Sequence, residues 1–148
     1  ETFCVDLSDG NYLREIASAR TFGSRQDEQA MRDMGLIRGA SKENCVVLSR
    51  DGIENPPLRF PDEFVRHKVL DLIGDLALAG KQILGKVVAD RAGHALHTAL
   101  VSRLLRDRAL WEETTLEEPV PAAHASMQAH ADQLADFAAA DAARGGGG

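Results

Sequence analysis

Residues 61–80 read PDEFVRHKVLDLIGDLALAG, and the rest of the chain is organised around this stretch. It opens with Asp62 as a helix-start signal, continues as an unusually apolar body and closes at Gly80, a typical helix stop. We therefore predict one long and largely buried helix, on which any charged side chain needs an explanation.

The ionisable side chains of this predicted helix include His67, Lys68, Asp71 and Asp75, in a body where a core helix would carry none. His67, Asp71 and Asp75 follow one another at intervals of four, about 40° apart around a helix, and so share one face. A histidine and a carboxylate at this spacing can reach a single metal ion. A catalytic zinc normally has three protein ligands, so a hydrogen-bonded histidine beside a solvated aspartate stays open as the alternative.

The bulk composition is that of an ordinary globular domain. A length of 148 residues suffices for one core, and 44% hydrophobic and 27% charged residues are average values. The net charge of −6, without a basic stripe, argues against nucleic acid as a partner. No apolar run approaches the ~18–20 residues of a membrane span, and no signal-peptide pattern is present. We expect a cytoplasmic protein without an integral membrane segment.

The cysteine positions indicate the redox compartment, and the first residue indicates whether the chain is part of a longer protein. Cys4 and Cys45 lie in apolar runs without CxxC spacing, which is typical of buried thiols in a reducing compartment. One disulfide between them is the alternative. The chain begins at Glu1 inside an alternating apolar pattern, so we expect the carboxyl-terminal piece of a longer protein.

The order of predicted elements indicates an α+β fold, with helices layered on a mixed β-sheet and a small helix and strand insert. Strands are predicted at 2–7, 45–48, 58–60 and 83–89, and helices at 12–17, 24–34, 61–80 and 93–108. The RTFG run at 20–23 is predicted to break the first helix. We expect residues 1–118 to form one domain and the Ala/Gly-rich residues 119–148 to form a disordered or partly helical tail.

One further histidine stands at a position where active-site groups are often presented. His94 follows Gly93 at the predicted start of a helix. There it can act as a general acid or an electrostatic stabiliser, with a carboxylate such as Asp75 holding its tautomer. His97 is predicted to lie on the helix surface, and the histidines at 124 and 130 are predicted to be solvated.

Four segments, in this order, resemble one enzyme family: SARTFG at 18–23, GLIRGASKENCVVL at 35–48, FPDEFVRHKVLDLIGDLAL at 60–78 and RAGHALHTALVSRLL at 91–105. The chain resembles the UDP-3-O-acyl-N-acetylglucosamine deacetylases, zinc amidases of lipid A synthesis, over residues 1–112. The combination of HKxxDxxGD with ARTFG and GHAL is far more specific than a lone HxxxD.

The resemblance implies two related α+β domains with the active site between them, of which this chain is the second, lacking its start. It implies His67 and Asp71 as zinc ligands, Lys68 facing the substrate, and His94 paired with Asp75. The family's third ligand, a histidine, and its general base, a glutamate, belong to the first domain.

The same resemblance implies the substrate contacts. Thr21 would hydrogen-bond the tetrahedral oxyanion, and His94 would stabilise that oxyanion or protonate the leaving amine. Phe22, Gly23 and the insert 24–45 would line an apolar passage for the acyl chain. The insert departs from the family pattern because it is more polar.

The expected function is zinc-dependent amide hydrolysis that removes acetate from UDP-3-O-acyl-N-acetylglucosamine, with Zn2+ as cofactor. We expect this chain alone to be inactive, because the first domain supplies a ligand and the base. The alternative is a non-catalytic, truncated homologue that acts as a binding or structural module.

Overall fold

A computed structural model describes residues 1–7 and 10–115, and within them the fold is α+β. Its sheet has three strands in the order β1 (Thr21–Ser24), β2 (Cys45–Ser49) and β3 (Gly52–Ile53). β1 runs parallel to β2, with Thr21 opposite Cys45, and β2 runs antiparallel to β3. The predicted fold class and the mixed sheet are confirmed.

The helices are α1 (Arg25–Asp33), α2 (Glu63–Leu76) and α3 (His94–Arg106). Shorter turns are a π-helical turn at Tyr12–Ile16 and 3-10 turns at Ala77–Ala79 and Arg108–Leu110. α2 contacts β1, the π-helical turn and α3, and therefore joins the sheet to the last helix.

Helix α2 begins close to its predicted start, although by a different mechanism. It ends at Leu76, and the 3-10 turn Ala77–Ala79 continues to the predicted stop at Gly80. Asp62 does not cap the helix, because its carboxylate accepts a hydrogen bond from Arg66 Nε at 2.6 Å. At the end, Gly80 adopts φ 74°, the left-handed conformation that glycine allows most readily. The predicted degree of burial is wrong: within α2 only Glu63 is fully buried, and the apolar side chains are half-buried.

A buried ion pair joins the start of α2 to the segment before β1. The backbone N–H and the side-chain Nε of Arg20 both donate to Glu63 Oε1 at 2.9 Å, and Arg20 Nη2 donates to Oε2 at 3.0 Å. The Arg59 N–H donates to the same Oε2 at 2.7 Å. Burial alone would raise the pKa of Glu63, but these hydrogen bonds and the charge of Arg20 outweigh it and lower that pKa to about 2.

Three of the predicted strands are absent from the described residues, and two observed strands, β1 and β3, were not predicted. Residues 2–7, 58–60 and 83–89 have no regular structure, whereas the RTFG run contributes to β1. A strand needs a neighbour for its backbone hydrogen bonds, and the sequence pattern of one segment does not specify that neighbour. Val87 and Val88 are exposed, so their β-branched pattern does not reflect a buried strand.

The cysteine prediction is partly wrong. Both thiols are free, as expected, but Cys4 is exposed and Cys45 is half-buried. Cys45 is the more shielded of the two, and burial raises the pKa of its thiol. The predicted tail at 119–148 lies outside the described residues. No helix of the described part has the length and apolar character to cross a membrane.

Replacing Glu63 by Gln should lower the free energy of unfolding by about 3–5 kcal/mol, because the buried Arg20 guanidinium loses its counter-charge. Urea unfolding of the complete gene product at pH 7 measures this change. As a matched control, Glu113→Gln removes the partner of Lys81 in an exposed ion pair and should change stability little.

The pH dependence provides a second check on the same ion pair. The folded-state pKa of Glu63 lies below its ordinary value of 4.5, so its stabilisation is complete above that pH and is lost as the pH falls towards 2. The unaltered protein should lose about 3 kcal/mol across this window. Equal acid sensitivity of the unaltered protein and the Glu63→Gln variant would contradict the assignment.

Candidate metal centre and active site

His67 and Asp71 form a pair on α2, and a backbone carbonyl on the far side of the His67 ring fixes its orientation. His67 Nδ1 lies 3.1 Å from the carbonyl oxygen of Ala19. Because a carbonyl only accepts hydrogen bonds, Nδ1 carries the proton and Nε2 points away from the backbone. His67 Nε2 lies 3.3 Å from Asp71 Oδ1, and both side chains are largely buried.

This arrangement fits a metal ion. When the ring is neutral, its Nε2 lone pair faces a carboxylate oxygen at 3.3 Å, and the two atoms can bind one cation together. When the ring is protonated, the same two atoms form an ion pair. Two ligands at about 2.0–2.1 Å from a tetrahedral zinc lie about 3.3 Å apart. A backbone carbonyl that fixes the other ring nitrogen is also the usual support of a metal-binding histidine. The pair thus offers two donor atoms at the spacing of metal ligands.

Lys68 lies between this pair and the start of α3. Its Nζ is 3.7 Å from Asp71 Oδ2, and a Cβ added to Gly93 would lie 3.9 Å from it. The ammonium therefore stands beside the residue that precedes His94. Its side chain is partly exposed, so it remains accessible from solvent.

Asp75 connects α2 to α3 through one carboxylate oxygen. His94 Nδ1 lies 2.7 Å from Asp75 Oδ2, and His97 Nδ1 lies 2.8 Å from the same atom. The hydrogen bonds from His94 and His97, in that order, lower the pKa of Asp75, against the opposing effect of burial. The structure thus brings together the predicted partners Asp75 and His94, with His94 Nε2 left for other contacts.

His97 was predicted to lie on the helix surface, and this prediction is wrong. Its side chain is 4% exposed, whereas that of His94 is 67% exposed. His97 lies three residues after His94, so both are on the same side of α3 and turn towards Asp75. The HxxH spacing could have predicted its burial, because a partner of His94 on α2 is also within reach of a histidine one turn later.

Among the described residues, Asp75, His94 and His97 form a group of three potential metal ligands within 4.8 Å of one another. Their nitrogen-to-oxygen distances of 2.7 and 2.8 Å match charge-assisted hydrogen bonds. They are shorter than the roughly 3.3 Å that separates two ligands of a tetrahedral zinc. We therefore interpret this group as hydrogen-bonded and the His67–Asp71 pair as the candidate metal centre.

The other predicted substrate residues lie on or beside β1. Thr21 and His67 line one open cleft of about 570 Å³, together with Ile37 and Ala40 of the insert. The Phe22 ring packs edge-on against Phe64, with centroids 5.0 Å apart, and lies 6.2 Å from the His67 ring. Gly23 belongs to β1 but does not line this cleft.

The insert itself leaves its apolar side chains unburied. α1 has no buried residue, and Met34 and Leu36 after it are exposed. Ser24 caps α1 by accepting a hydrogen bond from the Gln26 N–H at 3.2 Å, as a helix over 24–34 predicts. The apolar passage for an acyl chain stays a prediction.

We expect the neutral rings of the three described histidines to be Nδ1–H tautomers, which long-range ¹⁵N–¹H NMR distinguishes. Asp75→Ala should release His94 towards the Nε2–H form, since its acceptor is lost. Asp71→Ala should leave His67 unchanged, since Ala19 still accepts from Nδ1. A change of the His67 tautomer in Asp71→Ala would contradict the conclusion that the Ala19 carbonyl fixes this tautomer.

The residues that form these groups lie in a part of the chain that is similar to known proteins. The family model of UDP-3-O-acyl N-acetylglycosamine deacetylase matches residues 1–106. The chain is 53% identical to the UDP-3-O-acyl-N-acetylglucosamine deacetylase of Solibacter usitatus, over 73% of this chain and 37% of that protein. It is 46% identical to that of Myxococcus xanthus, over 76% of this chain and 36% of the relative. It is 47% identical to that of Anaeromyxobacter dehalogenans, over 87% of this chain and 43% of the relative. The chain therefore spans roughly two fifths of the length of these relatives.

Proposed function

The chain belongs to the UDP-3-O-acyl N-acetylglycosamine deacetylase family, and from this membership we propose that it contributes half of a zinc-dependent amidase site. The reaction is the hydrolysis of the acetamide of UDP-3-O-acyl-N-acetylglucosamine, which releases acetate and a free glucosamine amine for lipid A synthesis. The observation that carries the proposal is the His67–Asp71 pair, whose Nε2 and Oδ1 atoms lie 3.3 Å apart, the spacing of two ligands of one zinc ion.

His67 Nε2 and Asp71 Oδ1 would hold the zinc ion. When bound, the ion lowers the pKa of a coordinated water towards about 7 and polarises the carbonyl that is attacked. The contribution of Ala19 is to keep the proton on His67 Nδ1, so that Nε2 is ready to bind without a change of tautomer.

Besides His94, two donors of this chain would act on the reacting amide. The Thr21 hydroxyl lies at the cleft that His67 also lines, and Lys68 Nζ lies beside Gly93 at the other side of the pair. Both would stabilise the oxyanion that develops as water attacks the carbonyl carbon, where a donor is typically worth about 3–4 kcal/mol. This assignment agrees with the positions that the family resemblance implies.

His94 would deliver a proton. Its Nδ1 is engaged by Asp75, so Nε2 is the atom available to stabilise the oxyanion or to protonate the leaving nitrogen. When the carbon–nitrogen bond breaks, that proton would leave the product amine neutral. The Asp75 carboxylate would stabilise the imidazolium before the transfer, since an anion beside a cation favours it.

A third zinc ligand, a histidine, and a glutamate base would come from the part of the relatives that this chain does not span. Two exposed apolar side chains one turn apart on the same face of α3, Leu96 and Leu100, support a covering surface of this kind, because covering them removes apolar area from water. A cytoplasmic location remains a prediction of the sequence analysis.

Metal analysis of the complete gene product should separate the two groups of ligands. His67→Ala and Asp71→Ala should lose stoichiometric zinc after dialysis, whereas Asp75→Ala and His94→Ala should retain it. His94→Ala should also lose turnover by about 10²–10⁴-fold, the usual contribution of a general acid. Mass spectrometry of bound metal and a deacetylation assay measure the two effects.

Zinc that is released by Asp75→Ala and retained by His67→Ala would assign the metal to the Asp75, His94 and His97 group and contradict the proposal. Zinc retained by every variant, without turnover in the unaltered protein, would favour a binding or structural module instead.

A further inference from the structure

We propose that His97 is a positioning residue, which holds the Asp75 carboxylate in place for His94. The inference rests on the proposed function, because it assigns His97 to the same site. It differs from that function in adding a group that contacts neither the metal ligands nor the cleft residues described above.

The first observation is the shared oxygen. His94 Nδ1 and His97 Nδ1 lie 2.7 and 2.8 Å from the same Asp75 Oδ2. A carboxylate oxygen can accept two hydrogen bonds, and an ionised carboxylate cannot donate any. Both rings must therefore donate from Nδ1, and the two imidazoles lie at 79° with centroids 6.3 Å apart. One atom of α2 thus fixes the tautomers of two histidines on α3.

The second observation is the difference in exposure. The His97 side chain is 4% exposed and the His94 side chain is 67% exposed. His94 can exchange its hydrogen bond for water, whereas a buried donor that loses its acceptor has no replacement. The His97–Asp75 hydrogen bond is therefore the persistent one of the two. It fixes the position of Asp75 Oδ2, the atom to which His94 also donates.

The third observation is the position of these residues on their helices. Asp75 lies in the last turn of α2, and His94 is the first residue of α3. His97 lies one turn further along, next to the buried Val101 on the same side of α3. The His97–Asp75 bond joins the two helices at the point where they approach, so it also fixes the distance between Asp75 and the start of α3.

Loss of the His97 donor should therefore act through His94. The Asp75 carboxylate would be free to rotate, and His94 would spend less time in the orientation that presents Nε2. Zinc affinity should not change, because His67 and Asp71 are untouched. Substrate affinity should not change either, since His97 is buried, so the effect should fall on kcat rather than on KM.

A matched pair of variants tests this in the complete gene product. His97→Leu and His97→Asn introduce side chains of nearly the same shape, but only the Asn amide can donate from the position of Nδ1. We expect His97→Leu to lower kcat by about 10–100-fold with unchanged KM and zinc content. His97→Asn should retain a kcat close to that of the unaltered protein. Thr98→Ser is the control and should leave kcat unchanged, because it keeps the hydroxyl that donates to the His94 carbonyl oxygen at 2.7 Å.

NMR decides the inference independently of turnover. The unaltered protein and His97→Asn should show His94 as the Nδ1–H tautomer, and His97→Leu should shift it towards Nε2–H. An Nε2–H tautomer of His97 in the unaltered protein would overturn the inference, as would equal kcat in the Leu and Asn variants. If His97→Leu does not fold, His97→Asn alone decides, because loss of the His94 tautomer there contradicts the donor role. If the unaltered protein has no deacetylase turnover, the proposed function fails, and the tautomers still decide the role of His97.

Discussion

The buried ion pair between Glu63 and Arg20 is the constraint on which the site depends. Glu63 is 0% exposed and accepts hydrogen bonds from the backbone and side chain of Arg20. Ala19, the preceding residue, accepts from His67, which lies four residues after Glu63 on the same helix. Two consecutive residues before β1 are thus held by two consecutive turns of α2. The ion pair positions the carbonyl that keeps the candidate metal ligand in the correct tautomer.

The stripe of ionisable residues on α2 has one more member than was predicted, because Glu63 precedes His67 by four residues. Glu63, His67, Asp71 and Asp75 follow one another at intervals of four. Successive members are about 40° apart, so the stripe rotates by roughly 120° over its length. This rotation explains why its first member faces the segment before β1 and its last member faces α3. One periodic pattern therefore combines a structural ion pair, a candidate metal centre and a carboxylate that orients two histidines.

Local signals predicted the elements that are stabilised locally. The helix predicted over 24–34, the strand run at Cys45 and the stop at Gly80 each depend on contacts within a few residues, and each element was found close to its predicted bounds. Strands at 2–7 and 83–89 were predicted from pattern alone, and a strand without a neighbour leaves its backbone groups to water. The burial of Glu63 and His97 was not predicted, because each depends on a partner 43 or 22 residues away. Spacing predicted which residues share a face, but not the segment that this face meets.

The incompleteness of the candidate metal centre has a thermodynamic consequence under the proposed function. Two ligands hold zinc weakly, and a third that comes from another segment makes metal binding depend on the docking of that segment. Linkage then requires the reverse effect, since a ligand that binds only the assembled state stabilises that state. Zinc would strengthen the contact that covers the exposed leucines of α3, and the contact would strengthen zinc binding by the same factor. The weak retention of metal by a separated half is therefore what a divided site predicts, and it does not argue against the roles of His67 and Asp71.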